Sequence, residues 1–244
     1  MKIMALSDFH GATHVLAPLK EKIEHVNPSI LTFSGDIVKG YSRGDEWLAA
    51  RDENRDPQIT EAIKKEEQED LQFYNTFFTF LDQLSIPVFM VPGNMDAPES
   101  RFLNSAPHQY VVHNSLKRTP VVITGFGGEI TEDKKEDFFV LQYPRKTVMD
   151  AIKPFSDQKV TIVITHSPPV SSLSFEEGQE KGSMVVNDLI DLLHPDYLFC
   201  GHAHKTQGAE QIKSTFVVNP GALKYGNYSI IEGDLVEFGQ LGSL

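Results

Sequence analysis

Two histidines separated by one residue follow an apolar run in the last quarter of the chain. Residues 197–200 (YLFC) have the length of a buried strand, and residues 201–204 (GHAH) come directly after them. Successive side chains of an extended backbone point to opposite faces, so His202 and His204 share one face. Two imidazoles on one face can supply half of the ligands of a metal ion. The alternative is an exposed loop that happens to contain two histidines.

An aspartate and a histidine show the same spacing after the first predicted strand, residues 2–6. Asp8 and His10 would therefore also share a face at the end of a strand. The alternative is that Asp8 caps the helix predicted over residues 15–26, with His10 incidental. Taken alone, this stretch favours neither interpretation.

Two further predicted strands end in a glycine and a polar residue. The strand at residues 29–33 is followed by Ser-Gly-Asp, and the glycine lets the chain turn so that Asp36 lies at the edge of the sheet. The strand at residues 86–91 is followed by Pro-Gly-Asn, which ends at Asn94. Each pair alone is weak evidence, because Gly-Asp and Gly-Asn are also common in ordinary turns.

His166 ends a fifth predicted strand. Residues 159–165 are rich in β-branched side chains, and the prolines at 168 and 169 cannot continue a paired strand. In α/β sheets, ligands bind beyond the carboxyl ends of the strands, so the polar residues after all five strands should meet. Imidazole, carboxylate and amide donors without a thiolate suit Mn, Fe or Zn, and they are numerous enough for two metals that share a carboxylate.

Composition places the chain among ordinary α/β proteins. Its 244 residues carry a formal net charge of −12, which argues against a general binder of nucleic acid or anionic membranes. The single cysteine fits a reducing compartment, and no apolar run approaches the ~20 residues of a membrane span, so we expect a cytoplasmic protein. Without a repeat or linker that divides the chain, we predict one domain over residues 1–244.

The remaining elements are predicted from periodicity and turn residues. Strands are expected at residues 109–112, 121–126 and 215–218, and a hairpin is expected from residues 228–231 and 235–238; helices are expected at 147–155 and 184–193.

Residues 40–70 differ from the rest of the chain because they are highly charged. We expect an exposed, cap-like insertion that leads into a long helix beyond Pro57, with an apolar face of Tyr74, Phe77, Phe78, Leu81 and Leu84. The charges of residues 64–70 are interpreted as a solvated helix face. Arg43, Arg51 or Arg55 would be available to an anionic substrate, although a solvated loop is the favoured interpretation.

The ordered motifs resemble those of one family. Asp-x-His, Gly-Asp, Gly-Asn-x-Asp, Thr-His and Gly-His-x-His occur in series from Asp8 to His204, as in the calcineurin-like metallophosphoesterases. The short length and the Asn-Pro-Gly at residues 219–221 resemble the small prokaryotic phosphodiesterase branch. The resemblance implies a four-layer α/β/β/α sandwich with a dinuclear metal site.

The resemblance also implies a ligand set and a reaction. One metal would be bound by Asp8, His10, Asp36 and His204, and the other by Asp36, Asn94, His166 and His202, with Asp36 as the bridge. Asn94, Asp96 and His166 would belong to the catalytic residues. Two divalent transition metals, Mn foremost and Fe or Zn as alternatives, would support attack by a bridging hydroxide on a small phosphate ester.

Met95 departs from the family pattern. Many members have a histidine at the third position of Gly-Asn-x-Asp, where it can protonate the leaving oxygen, and a thioether has no proton to donate. General acid catalysis typically contributes ~10²–10⁴-fold, so we expect phosphodiesters or good leaving groups to be favoured over alkyl phosphomonoesters. His14 is a candidate substitute acid, although a surface histidine is the favoured interpretation.

Two alternatives stay open from the sequence. The first is a phosphomonoesterase or nucleotide hydrolase that uses the same site. The second is a catalytically weak protein-interaction scaffold, since this fold also occurs in that role. A homo-oligomer is compatible with either interpretation.

Overall fold

Residues 1–242 form sixteen strands, most of them in two large sheets, and six α-helices. The computed structural model describes residues 1–242. The strands are β1 (Lys2–Leu6), β2 (Ile30–Phe33), β3 (Val88–Met90), β4 (Ser115–Arg118), β5 (Val122–Phe126), β6 (Glu129–Thr131), β7 (Glu136–Asp137), β8 (Leu141–Pro144), β9 (Ile162–Thr165), β10 (Phe175–Glu176), β11 (Gln179–Glu180), β12 (Tyr197–Phe199), β13 (Gly208–Ile212), β14 (Thr215–Asn219), β15 (Asn227–Glu232) and β16 (Leu235–Gln240). The helices are α1 (Leu16–Val26), α2 (Tyr41–Asp52), α3 (Glu61–Asp82), α4 (Glu99–Ser105), α5 (Arg145–Ile152) and α6 (Met184–Leu193), with 3₁₀ turns at Thr13–Val15, Lys153–Phe155 and Leu223–Tyr225.

The two large sheets pack face to face between layers of helices. The first has the order β16-β15-β1-β2-β3 and the second the order β13-β14-β12-β9-β5-β4. One apolar core lies between the sheets, a second joins the first sheet to α1 and α3, and a third joins the second sheet to α5 and α6. The four-layer α/β/β/α prediction is therefore confirmed.

The central strands are buried on both faces, as parallel strands between helices require. β1, β2 and β3 are parallel neighbours, and so are β14, β12, β9 and β5. Their carboxyl ends consequently lie at the same edge of each sheet, and the two edges meet. This arrangement brings together the polar residues that follow the strands.

The predicted strand at residues 109–112 is wrong. Val111 forms only an isolated bridge to Met90 of the first sheet, and His113 bridges Gly125 of the second sheet. The segment therefore crosses between sheets and cannot extend along either, and the regular strand begins only at Ser115. The predicted hairpin near the carboxyl end is confirmed as β15 and β16, which pair along their whole length.

Residues 40–70 contain more order and more buried charge than expected. α2 occupies Tyr41–Asp52, and Arg43 on this helix is fully buried, so it is not available to a substrate. Its guanidinium donates to the Asp70 carboxylate at 2.6 Å. Asp70 and Glu66 of α3 are both buried, so the interpretation of residues 64–70 as a solvated face is wrong for these two positions. The backbone amides of Ser42 and Arg43 donate to Glu66, which ties the start of α2 to α3.

The apolar face of α3 agrees with the prediction. Tyr74, Phe77, Phe78 and Leu81 are buried, and Leu84 packs beside them. None of the helices within residues 1–242 combines the length and the apolar character that a membrane span needs.

Candidate metal centre

The turns that follow the strands hold several site residues in a left-handed backbone conformation. Asp8, His10, Asp36 and His202 have φ values of 56°, 45°, 61° and 67°. A side chain in this conformation costs on the order of 1–3 kcal/mol, and such residues are concentrated at functional sites because the surrounding structure enforces them. The backbone conformation of these turns is unfavourable by itself, and it directs the four side chains towards the candidate metal centre.

A first group contains Asp8, His10, Asp36 and His204. Their ligand atoms all lie within 4.8 Å of one another. The Nε2 atoms of His10 and His204 are 3.1 Å apart, and Nε2 of His204 is 3.2 Å from Oδ1 of Asp8. Nε2 of His10 is 3.5 Å from Oδ2 of Asp36.

A second group contains Asn94, His166 and His202 and shares Asp36 with the first. Oδ1 of Asn94 lies 2.8 Å from Nε2 of His166 and 3.1 Å from Nδ1 of His202. Nε2 of His166 is 3.5 Å from Oδ2 of Asp36, the same oxygen that faces His10. Asp36 therefore lies between the two groups, and His202 and His204 face different ones.

The protonation of two imidazoles fits cation binding. Nδ1 of His10 lies 3.1 Å from the carbonyl oxygen of Val38, and Nδ1 of His166 lies 2.7 Å from that of Ser34. A carbonyl can only accept, so these Nδ1 atoms carry protons and the Nε2 lone pairs of the neutral rings point into the site. Oδ1 of Asp8 is buried there without a hydrogen bond. The Nε2 atoms of His10 and His166 can therefore act as ligands of metal cations.

Burial has different consequences for the imidazoles and for the carboxylates of the site. It lowers the pKa of His10 to about 3 and that of His202 well below its usual value, so both rings are neutral near pH 7, the form that binds metal. Burial raises the pKa of Asp36, and the carboxylates of Asp8 and Asp96 raise it further. Burial has the same effect on Asp8, but His204 outweighs it and holds the pKa of Asp8 well below its usual range.

Asp96 stabilises the two turns that carry Asp36 and Asn94. It is fully buried, and its carboxylate accepts hydrogen bonds from the backbone amides of Asp36, Ile37, Val38 and Gly93 and from the hydroxyl of Tyr74. These bonds join the turn after β2 to the turn after β3. The position supports a positioning role, with both carboxylate oxygens already engaged.

Gly93 allows the turn after β3 to approach Asp36 closely. A Cβ atom at this position would lie 2.0 Å from Oδ1 of Asp36. We expect Gly93→Ala to displace the Asp36 carboxylate and to lower kcat by about 10–100-fold, the usual effect of disturbing the support of a metal ligand. Steady-state kinetics with added Mn and metal analysis measure the effect. Gly242→Ala is the control, because a Cβ there would contact nothing within 4 Å among residues 1–242. Unchanged activity and metal content in Gly93→Ala would contradict the prediction.

Met95 contacts the site through its backbone and its side chain. Its amide donates to Oδ1 of Asp36 at 2.7 Å, and its carbonyl accepts from Arg43 at 2.9 Å. The side-chain amide of Asn94 donates to the Met95 sulfur at 3.2 Å, which leaves Oδ1 of Asn94 directed towards the histidines. A Cβ atom at Gly44 would lie 2.8 Å from Cε of Met95, so α2 lies directly against this side chain.

Lys224 is a neighbour of the site that the sequence did not indicate. Its Nζ atom is 3.1 Å from Nδ1 of His204, and its amide donates to the carbonyl of Asp8. Burial lowers the pKa of this lysine. The only local signal is the Asn-Pro-Gly turn at residues 219–221, which directs the chain back to the site. His14, in contrast, is exposed on the 3₁₀ turn before α1.

Comparisons with known proteins identify the family. The family model described as "Metallophosphoesterase, calcineurin superfamily" matches residues 1–241. The chain therefore belongs to the calcineurin-like metallophosphoesterases, and the divalent-metal chemistry of that family agrees with the cluster described above.

Solved structures share the fold. One crystal structure is 29% identical, with 99% of both chains covered and a TM-score of 0.88. The protein TT1561 of Thermus thermophilus is 23% identical over 99% of both chains, with a TM-score of 0.76. A dimetal phosphatase from Danio rerio is 11% identical over 99% of this chain and 96% of that one, with a TM-score of 0.61. No curated protein matches the chain.

Proposed function

We propose that the protein is a phosphodiesterase that uses two divalent transition metal ions. The observation that carries the proposal is the division of the candidate ligands into two groups with Asp36 common to both. Asp8, His10, Asp36 and His204 would bind one ion, and Asp36, Asn94, His166 and His202 the other. The donors are imidazoles, carboxylates and one amide without a thiolate, which suits Mn best and is compatible with Fe or Zn.

The residues of the chain have separable tasks in this reaction. Two bound divalent ions supply Lewis acidity towards the phosphoryl oxygens and lower the pKa of coordinated water. Asp36 would be a ligand of both ions, because its Oδ2 faces His10 and His166. Ser34 and Val38 fix the ring orientation of His166 and His10 through their carbonyl oxygens. Asp96 keeps the turns after β2 and β3 in register.

The methionine at position 95 favours phosphodiester substrates over alkyl phosphomonoesters. The sulfur of Met95 accepts a hydrogen bond from Asn94 and has no proton for a leaving oxygen. A substrate whose leaving group needs protonation loses a contribution of ~10²–10⁴-fold. Aryl phosphodiesters avoid most of this loss because a phenolate leaves without a general acid.

The preference can be measured with three substrates and one Mn-loaded preparation. We expect kcat/KM for bis(p-nitrophenyl) phosphate to exceed that for glycerol 2-phosphate by about 10²-fold or more, since only the latter has an alkoxide leaving group. p-Nitrophenyl phosphate is the matched control, because it is a monoester with the same p-nitrophenolate leaving group as the diester. It therefore separates the effect of the substrate's charge from the effect of the leaving group. Faster turnover of either monoester would contradict the diester preference and favour the phosphomonoesterase or nucleotide-hydrolase alternative.

A scaffold without catalysis is opposed by the completeness of the site. A protein-interaction surface does not need buried imidazole lone pairs directed at an unbonded carboxylate oxygen. Tight binding of two metals without hydrolysis of any diester would favour the scaffold.

We also propose that residues 1–244 form one domain, in which residues 40–70 are a cap-like insertion. β15 near the carboxyl end pairs with β1, so the first sheet contains strands from both ends of the chain.

The single cysteine, which is buried, supports a cytoplasmic location.

A further inference from the structure

A cavity of about 860 Å³ lies beside the second group of candidate ligands. Asn94, Met95 and His202 line it together with residues of α2. We call it the α2 cavity. Sites for small molecules usually measure about 300–1,000 Å³, so this cavity has room for far more than a phosphoryl group. A substrate that fills it carries a large organic part.

One side of the α2 cavity is aromatic and apolar. Trp47, Leu48 and Val140 line it. The indole of Trp47 stacks on Phe139 with an interplanar angle of 18° and a centroid distance of 6.3 Å, which fixes its orientation. Leu48 is 46% exposed, so its side chain is accessible from the cavity. A fixed aromatic ring beside an apolar side chain is suited to stacking with a planar ring.

The α2 cavity is lined by charged residues of both signs, and the acidic ones are Asp45, Asp56, Glu129 and Glu180. Lys134 and Lys135 line it, are exposed, and form no ion pair within 4 Å in the part of the chain that the structure describes. Lys181, nearby in the lining, is already paired with Glu176 at 3.1 Å. Because Arg51, Arg55 and Lys181 are paired with acidic residues, Lys134 and Lys135 are the cations of this lining that are left to pair with a second anionic group of the substrate.

We propose that the α2 cavity binds the organic part of the substrate and takes a planar aromatic ring of nucleobase size that carries a further negative charge. The substrate class would then be nucleotide-like phosphodiesters. This inference rests on the proposed function, because it assigns the substrate of the same metal centre. α2 is the specificity element in this account, held in place by Arg43 and by its contact with Met95.

The chain offers a direct readout of binding in the cavity, because Trp47 is its single tryptophan. In the Mn-loaded protein, adenosine 5′-monophosphate should quench the tryptophan fluorescence in a saturable manner. Ribose 5-phosphate, which has the sugar and phosphate without the base, should give less than about a tenth of that quench, since it cannot stack. Equal quenching by both compounds, or none by either, would overturn the inference.

Kinetics of the Trp47→Ala variant provide a second test. We expect KM for thymidine 5′-(p-nitrophenyl phosphate) to rise by about tenfold, as the loss of one base-stacking contact predicts, with kcat unchanged. kcat/KM for methyl p-nitrophenyl phosphate, which has no base, should not change. Trp47→Phe should retain most of the wild-type KM. Equal effects of Trp47→Ala on both substrates would overturn the inference.

The anionic part is tested with the double variant Lys134→Ala/Lys135→Ala. Wild-type protein should bind adenosine 3′,5′-bisphosphate about threefold or more tightly than the monophosphate, and the double variant should lose this difference. An unchanged ratio would remove the second anionic group from the proposal. If wild-type protein hydrolyses neither diester, the proposed function fails, while the fluorescence titration still decides whether the cavity binds a base.

Discussion

Replacing Asp36 with asparagine is expected to lower kcat for an aryl phosphodiester by about 10³-fold or more. Oδ2 of Asp36 lies 3.5 Å from Nε2 of His10 and 3.5 Å from Nε2 of His166, so this carboxylate is common to both ligand groups. Loss of its charge weakens the binding of both ions and the electrostatic stabilisation that they provide, which is usually the largest contribution to catalysis at such sites. Steady-state kinetics in excess Mn measure the loss.

The same substitution should leave the fold intact. Asparagine has the shape of aspartate and keeps the oxygen that accepts from the Met95 amide. Burial and the carboxylates of Asp8 and Asp96 raise the pKa of Asp36, so its charge is unfavourable in the metal-free protein and removal of the charge should not lower Tm. Asp191→Asn is the control, because that exposed carboxylate pairs only with Lys213 on the surface. Activity of Asp36→Asn within tenfold of wild type would contradict a bridging role.

Arg43→Ala is expected to destabilise the protein by about 3 kcal/mol, the lower end of the range for breaking a buried ion pair. Arg43 and Asp70 are both fully buried, and the substitution leaves the Asp70 carboxylate with Arg101 alone, at 3.2 Å. For a chain of this size, the change corresponds to a fall in Tm of about 6–12 °C, measurable by calorimetry of the metal-free protein. Because Arg43 also donates to the carbonyl of Met95, activity should decrease as well.

Arg51→Ala is the matched control on the same helix. Arg51 is exposed and pairs with the adjacent Asp52, and exposed ion pairs contribute about 0–1 kcal/mol. Its Tm should therefore stay close to that of wild type. Equal Tm values for Arg43→Ala and Arg51→Ala would show that the buried network contributes nothing to stability.

The candidate ligands could be predicted from the sequence because each follows a strand. The alternation expected for an extended chain does not hold at residues 201–204, because His202 has a φ of 67° and the two histidines face different ligand groups. The parallel order of the strands nevertheless brings the five turns together. The interpretation of Asp8 as a helix cap is wrong: the first helical turn starts after Ala12, and no side chain caps it. Whether Asp8 caps a helix or belongs to the site depends on the neighbouring turns, which only the fold brings together.

Contacts between distant segments could not be predicted in this way. Asp70 lies in a run of charges whose local pattern is that of a solvated helix face, and its partner Arg43 is 27 residues away. Lys224 reaches His204 only because the chain turns back after β14. The segment before β4 has strand-like residues, but it passes from one sheet to the other and pairs regularly with neither.

The amount of bound Mn and its magnetic coupling show directly whether the protein has a dinuclear centre bridged by Asp36. Metal-free protein would be titrated with Mn(II), with bound metal counted per chain and the Mn signal followed by electron paramagnetic resonance. Two Mn per chain with the spectrum of a magnetically coupled pair are expected, and Asp36→Asn should lose the coupling. One isolated Mn per chain, or no tight binding, would contradict a dinuclear centre bridged by Asp36.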